Sequence, residues 1–340
     1  MGHACGYDTR LTSINRNVTS RMAPYQTQTL RPDAEGIDRA AAWLADGQLV
    51  ALPTETVYGL AGDATSDLAC ARIFEAKGRP RFNPLIVHLP SLETARKIAA
   101  FPGDAEALAC AFWPGPLTLV LPLKPGHGLS PLVTGGLETV ALRVPEHGVM
   151  QAVLAKLGGP VAAPSANPSG RISPTTAAHV LAGLSGRIAA LLDAGPCTVG
   201  VESTILAPGP ERTRLLREGG LPREAVEPLT GPLVPDTTPG TVQAPGQLGS
   251  HYAPAAALVL NSDLSDPHAI RIGFGPAEAD LTLSRTGDLV EAAASLFRTL
   301  HEADALATAR NLPIHIAPIP DRGLGRAIND RLRRAAAPRS

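Results

Sequence analysis

Aromatic residues make up only 4% of the chain, and lysine occurs only at Lys77, Lys97, Lys124 and Lys156. So few rings offer no stacking platform for single-stranded nucleic acid, and a formal net charge of −1 supplies no basic face for duplex binding. No apolar run approaches the ~18 residues of a membrane span, and no signal-peptide core is recognisable near the N-terminus, so a cytoplasmic protein with no membrane contact is expected. The four cysteines (Cys5, Cys70, Cys110, Cys197) form neither a C-x-x-C pair nor a zinc spacing with any of the nine histidines, and read as ordinary thiols. The phosphate loop G-x-x-x-x-G-K-[ST], the elbow G-x-S-x-G, H-E-x-x-H and the kinase signatures are all missing. Gly323-Leu-Gly325 lacks the third glycine of a dinucleotide fingerprint.

What is there is a globular chain of 340 residues, 44% hydrophobic, long enough for more than one domain. Its 33 glycines and 33 prolines follow no collagen-like period and punctuate many turns. From Pro32 onward, periodicity alternates between helix and strand. Helices are predicted over 33–46, 67–77, 91–100, 105–112, 149–157 and 175–184. Strands are predicted over 48–52, 85–89, 117–121, 139–144, 161–163, 188–192, 203–206 and 214–217. One large sheet with helices around it is the economical architecture. A proline-rich stretch follows, and then a smaller α/β pattern with strands at 256–260, 269–274 and 314–316 and helices at 288–306 and 324–334. The expected division is a disordered extension at 1–30, with Met22 an alternative start, a main domain at 31–228, a linker at 229–254 and a small Rossmann-like domain at 255–340.

Chemistry is sought at strand ends and in proline-fixed loops, where a rigid sheet positions functional groups. In Pro53-Thr-Glu-Thr-Val-Tyr-Gly-Leu60, Thr54 and Thr56 are either turn hydroxyls or ligand contacts. The cluster Lys77-Gly-Arg-Pro-Arg-Phe-Asn-Pro84 is either a solvated basic helix end or a phosphate site, for which a compact ammonium and two guanidinium forks suit a polyphosphate. His88 ends an apolar strand, a place where histidine is commonly structural, and Trp113 reads as a packing residue. Arg143 lies within an apolar strand and needs either a buried carboxylate or a substrate carboxylate. Around Pro164-Ser-Ala-Asn167 the small side chains let a ligand approach the backbone, while Ser165, Asn167 and Ser173 supply donors and acceptors. Ser173 is alternatively the helix N-cap before Pro174.

Taken in order, residues 52–60, the 77–84 cluster, 113–118, Pro164-Ser-Ala-Asn167, Val201-Glu-Ser-Thr-Ile205, Arg217, Pro245-Gly246 and His251-Tyr-Ala-Pro254 resemble the threonylcarbamoyl-AMP synthase family in its two-domain form. The resemblance covers the chain apart from its N-terminal tail. It implies a YrdC-like twisted mixed sheet with surrounding helices, followed by the small Rossmann-like domain. It also implies a nucleotidyltransferase that joins L-threonine, bicarbonate or CO2 and ATP into threonylcarbamoyl-AMP, releasing pyrophosphate. The product would pass to a downstream tRNA threonylcarbamoyl transferase for tRNA modification, with at most a weak RNA contact by this chain.

By motif, the resemblance implies a threonine pocket of Thr54, His88, Arg143, Ala163 and Ser203. It implies an ATP site of Lys77, Arg79, Arg81, Asn83, Thr139, Ser165, Asn167, Ser173, Arg217 and Tyr252, in which Lys77 and Arg79 are the catalytic cations. Mg2+ is expected to arrive with ATP, held by phosphates and water, since no acidic cage is evident. The segment bearing His251-Tyr252 is implied to be a lid, here without the basic residues that many relatives place before the histidine. Two alternatives stand beside this reading. One is a double-stranded RNA or tRNA-binding module without synthase activity; the other is a hydrogenase-maturation carbamoyl transfer domain, which would bring acylphosphatase and zinc-finger segments that the sequence lacks.

Overall fold

The computed structural model describes residues 26–80, 82–236, 243–246 and 249–338. The N-terminal body runs β1 (Gln28–Leu30), α1 (Ala34–Ala45), β2 (Val50–Leu52), β3 (Gly59–Asp63), α2 (Asp67–Lys77), β4 (Ile86–His88), α3 (Leu92–Ile98), α4 (Ala105–Phe112), β5 (Leu117–Pro122), α5 (Pro131–Thr134), β6 (Thr139–Arg143), α6 (Gly148–Leu157), β7 (Val161–Ala162), α7 (Ala177–Leu184), β8 (Ala190–Leu192), β9 (Thr204–Pro208), β10 (Thr213–Arg217), α8 (Arg223–Thr230) and β11 (Val234–Pro235). Its strands form one mixed sheet in the order β1-β8-β2-β3-β7-β4-β6-β5-β9-β10-β11. Helix starts follow their side-chain caps: Asp33 accepts from the Gly36 N–H, Ser66 from Ala69 and Ser91 from Thr94.

Period-two alternation fills both faces of the sheet. Leu117, Leu119, Leu121, Val140 and Leu142 pack with α2 and α4, whereas Ile86, Val120, Ala141, Ile205 and Leu216 form a separate cluster closed by Ala244 of the proline-rich segment. That segment therefore covers part of the sheet. The C-terminal domain adds β12 (Leu258–Val259), β13 (Ile270–Gly273), β14 (Leu281–Thr282), α9 (Leu289–Arg310), β15 (Ile314–Ile316) and α10 (Leu324–Ala336), with an all-parallel sheet in the order β12-β15-β13-β14. Its core, centred on Leu296, Phe297 and Ile272, also takes in Val57, Ile172, Val201 and Tyr252 from the N-terminal body and the linker. The two domains thus share apolar surface.

Several sequence expectations are corrected. The tail expected to be disordered over 1–30 lies outside the described residues as far as 25, but residues 28–30 form β1, paired in parallel with β8 and burying Leu30. The boundary expected at 228 falls inside α8, which runs through Pro228 to Thr230 and ends at Gly231. The expected linker begins late for the same reason, since Val234–Pro235 adds an edge strand to β10, a position that tolerates proline. Gly59–Asp63 had no strand signal because its glycines and alanine lack the branched side chains of a typical strand, yet it is the buried β3 between β2 and β7. Finally, α7 starts at Ala177 and is capped by Thr176, not Ser173.

Gly219 lies where two backbones meet: a Cβ there would stand 2.3 Å from Ser203 C and Thr204 N and 2.4 Å from Glu202 O. Gly219→Ala is therefore expected to force the end of β10 away from the start of β9, destabilising the protein by about 1–3 kcal/mol or more. A lowered urea midpoint would show it; an unchanged midpoint would contradict the packing described.

Candidate functional site

Strand register assembles the site. Parallel pairing of β4 with β6 sets His88 beside Arg143, and β7 runs antiparallel to β4 on its other side, setting Val161 opposite His88 and Ala163 against Ile86. An isolated bridge between Gly59 and Ser165 and the parallel pairing of β5 with β9 bring in the 164–167 loop and Ser203. Together these elements wall a cleft lined among others by Thr54, Arg79, His88, Arg143, Ala163, Ser165, Ser203, Arg217 and Tyr252.

The Thr54 Oγ1 donates to the Val57 carbonyl (2.6 Å) and accepts from the Thr56 and Val57 N–H groups, so the same hydroxyl closes a turn and faces the cleft. Arg143 meets a buried carboxylate belonging to the protein: Nη2 lies 2.6 Å from Glu55 Oε1, Nη1 donates to Thr56 Oγ1 (2.9 Å) and Nε to the Gly115 carbonyl (3.3 Å). Ser203 Oγ contacts Thr118 Oγ1 (2.7 Å) and accepts from Arg217 Nη2 (3.2 Å).

Three buried cations surround the opposite wall. Lys77 Nζ donates to the Ser165 and Asn167 carbonyls, each at 2.5 Å. Arg79 donates to the Asn83 carbonyl (3.2 Å), Asn83 Oδ1 (2.7 Å) and the Pro84 carbonyl (2.8 Å). Arg217 donates to the Ser203 carbonyl (2.8 Å) and the Pro245 carbonyl (3.1 Å). Among the described residues, no carboxylate comes within ion-pair distance of these three, whereas Arg143 has Glu55 and Arg331 has Glu202. Gly246, at φ +87, fits between Arg217 and Tyr252, where a Cβ would lie 2.9 Å from Arg217 Cδ and 3.0 Å from the tyrosine hydroxyl.

Not every expected residue reaches the cleft. Thr139 begins β6, four residues from Arg143 and so about 13 Å away at the far end of the strand. Asn83 is turned inward with its Oδ1 taken by Arg79, and Asn167 spends its amide on the Pro168 and Arg171 carbonyls. Ser173 is buried behind the wall, donating to Glu202 Oε1 (2.5 Å). Lys77 lies beneath the floor, and Arg81 lies outside the described residues. Sequence reasoning missed Glu55, Thr118 and Glu202 as parts of the site. Glu55 and Glu202 sit inside the quoted motifs, and an arginine in an apolar strand was the signal for a buried carboxylate of the protein or a carboxylate of the substrate, of which the structure shows Glu55. Trp113 packs as expected, its Nε1 donating to the Leu117 carbonyl (2.7 Å) and its ring set edge-on to Phe101.

Comparison with known proteins gives the cleft its context. The Sua5–YciO–YrdC family model, described as telomere recombination, matches residues 42–219, and the model of the threonylcarbamoyl-AMP synthase C-terminal domain matches 221–337. The threonylcarbamoyl-AMP synthase of Bacillus subtilis is 41% identical over 338 residues, covering 92% of this chain and 96% of that protein. This chain belongs to the threonylcarbamoyl-AMP synthase family. The Pyrococcus abyssi synthase is 39% identical, covering 87% of this chain and 93% of its own. The crystal structure of P. abyssi Sua5 complexed with L-threonine superposes with a TM-score of 0.83 at 37% identity, covering 91% of this chain and 97% of that one. Its two-domain architecture is the one described above.

In this member of the threonylcarbamoyl-AMP synthase family, burial dominates the electrostatics. It holds the Lys77 ammonium well below its usual range, with the charge of Arg79 acting in the same direction. It draws Arg79 down to about 10, assisted by Arg217. Burial also lowers His88 to about 3, with Arg143 adding to the effect, and lowers His251 to about 3 despite the opposing pull of Glu202. In each case burial outweighs whatever favourable charge is nearby.

Both histidines are neutral in the folded protein, while in the unfolded chain they titrate near their ordinary 6.5. Their contribution to stability is complete above pH 6.5 and is lost as pH falls toward 3, because the unfolded state then binds the extra protons, at up to about 1.4 kcal/mol per pH unit for each histidine. Urea unfolding between pH 7 and pH 5 is expected to show this decline. His88→Asn should flatten the slope; a slope the variant leaves unchanged would contradict burial of a neutral His88.

Proposed function

We propose that this chain is a threonylcarbamoyl-AMP synthase, a nucleotidyltransferase that converts L-threonine, bicarbonate or CO2 and ATP into threonylcarbamoyl-AMP and pyrophosphate. The observation that carries this reading is a cleft lined by Arg79 and Arg217 and underlain by Lys77, which bonds the lining residue Ser165, with no carboxylate within ion-pair distance of these cations among the described residues and with Thr54, Arg143 and Ser203 on the other wall. A desolvated cation with only neutral oxygens around it attracts an anion strongly. Three of them suit a triphosphate.

The chemistry asks for placement more than for a nucleophile of the protein. Once the threonine amine has combined with CO2, a carbamate oxygen attacks the α-phosphorus and the bond to the departing pyrophosphate breaks, so negative charge moves onto the leaving group. Cations already fixed by Ser165, Asn167, Asn83 and Ser203 stabilise that charge without having to reorganise. On the other wall, Arg143, locked against Glu55 and Thr56, presents its remaining N–H edge to the threonine carboxylate, and Thr54 and Ser203 shape the pocket for the small side chain. His251-Tyr252 excludes water from the carbamate and the adenylate. Tyr252 sits on the cleft at a left-handed φ of 62°, a strained backbone that its surroundings must hold.

Of the acidic groups nearest the cleft, Glu55 faces Arg143 and Glu202 bonds Arg331 and Ser173, and among the described residues no cluster of histidine, cysteine or acidic side chains forms a metal cage. These residues do not fit a resident metal, and Mg2+ enters this proposal only as part of the nucleotide substrate. Product transfer to a tRNA threonylcarbamoyl transferase and a cytoplasmic location belong to the same proposal. Among the described residues, no helix is long and apolar enough to cross a membrane. Cations sunk beneath a lid, not spread over an open face, argue against a role confined to RNA binding.

The test is product identification. Full-length protein with ATP, Mg2+ and bicarbonate is offered each amino acid in turn and the nucleotides are resolved by mass. Threonylcarbamoyl-AMP and pyrophosphate are expected with L-threonine. Absence of any carbamoyl-adenylate from a folded, ATP-binding protein would overturn the reading.

A further inference from the structure

Arg331 is the largest fully buried side chain among the described residues. It sits on α10, whose buried face is otherwise built by Ala327, Ile328, Leu332 and Ala335 at the spacing of a helix packed on a core. A guanidinium in such a stripe costs stability unless every donor is met. Here the donors are met across the domain boundary: Nε donates to Glu202 Oε2 (2.8 Å) and Nη2 to the Glu218 carbonyl (2.9 Å), while Nη1 reaches Asp330 Oδ2 (2.7 Å). Glu202 uses its other oxygen to accept from Ser173, so both carboxylate oxygens are occupied.

Glu202 also lines the cleft, as does Arg217, and the two charges act on one another. A carboxylate on the same cleft competes with any phosphate for the guanidinium. We propose that Arg331 is a positioning residue of the adenylate-forming cleft: by occupying Glu202 from the C-terminal domain, it leaves Arg217 free of a carboxylate and available to the nucleotide phosphates. This rests on the proposed function above and assigns a role to a residue at the opposite end of the chain from the phosphate cluster.

Two further contacts tie the same helix to the lid. The Arg331 guanidinium carbon lies 5.2 Å from the centre of the Tyr252 ring, and the His251 N–H donates to the Arg334 carbonyl (3.1 Å). Phe297 of α9 stacks on Tyr252 at 5.7 Å, and the Ala253 N–H donates to the Gly170 carbonyl (2.8 Å). Arg331 thus touches both the lid tyrosine and the carboxylate that acts on Arg217. Glu202 is the link: burial raises its carboxyl, and the charges of Arg331 and Arg217 more than offset that, keeping it ionised. Removing Arg331 leaves Arg217 as the remaining cation of this pair for Glu202.

The experiment uses the full chain and measures ATP affinity by calorimetry beside synthesis in the product assay. Arg331→Met is expected to weaken ATP binding by at least about tenfold, the scale of losing one charge-assisted hydrogen bond to phosphate. The decisive comparison is Arg331→Met with Glu202→Gln. Taking away the competing charge should restore ATP affinity to within about threefold of wild type, although the arginine is still missing. A residue that only glues the domains together would not be rescued this way. Wild-type ATP affinity in Arg331→Met, or a double variant no better than the single one, overturns the proposal. Should Arg331→Met fail to fold, the double variant, which buries no unpaired charge, and Arg331→Lys replace it. Tenfold weaker ATP binding by the folded double variant would then overturn the proposal. Wild-type protein that binds ATP but makes no threonylcarbamoyl-AMP would contradict the synthase reading and leave the Arg331 comparison intact.

Discussion

Burying a cation beside neutral oxygens alone is unfavourable, and the cleft does so three times, at Lys77, Arg79 and Arg217. The surrounding fold supports that arrangement. Carbonyls of the 165–167 loop hold the lysine, the turn at Asn83 and Pro84 grips Arg79, and the pairing of β9 with β10 brings the Ser203 carbonyl to Arg217. Each support comes from backbone oxygen or an uncharged side chain, which fixes geometry without cancelling charge. The sheet ends, the tight glycines and the capped helices serve to hold these oxygens where they are.

Charge balance divides the arginines into two kinds. Arg143 and Arg331 are neutralised by Glu55 and Glu202, and both act as struts: one braces the 54–57 turn against β6, the other braces α10 against the strand ends. Arg79 and Arg217 are left uncompensated. A C-terminal domain that shares a core with Val57, Ile172, Val201 and Tyr252 and inserts Arg331 behind the cleft is part of the site's construction, not an appendage to it.

Much of this was legible in the sequence because the decisive groups lie at the ends of strongly patterned strands. His88 and Arg143 each terminate an apolar run, and the register that sets them side by side follows once β4 and β6 pair. Less legible was anything fixed by contacts distant in sequence. Glu202 and Arg331 meet across 129 positions, and only the place of Arg331 within an apolar helical stripe hinted at a buried partner. Thr139 and Asn83 illustrate a related point: motif membership says which residues are near in sequence, whereas strand length and loop direction decide which of them face the cleft. The strand at 59–63 was hidden because its glycines allow close packing while carrying no strand propensity.

If phosphates come to rest beside Lys77, they supply the negative charge that its burial denies it, and its depressed affinity for a proton must rise. ATP binding to the full chain should then be accompanied by proton uptake. Calorimetric titrations between pH 7 and 10 in buffers of different ionisation heat read this directly. The account predicts net proton uptake on ATP binding, removed by Lys77→Met. ATP binding with no exchange of protons anywhere in that range, or uptake that the substitution leaves untouched, would show that the nucleotide phosphates do not meet the buried lysine.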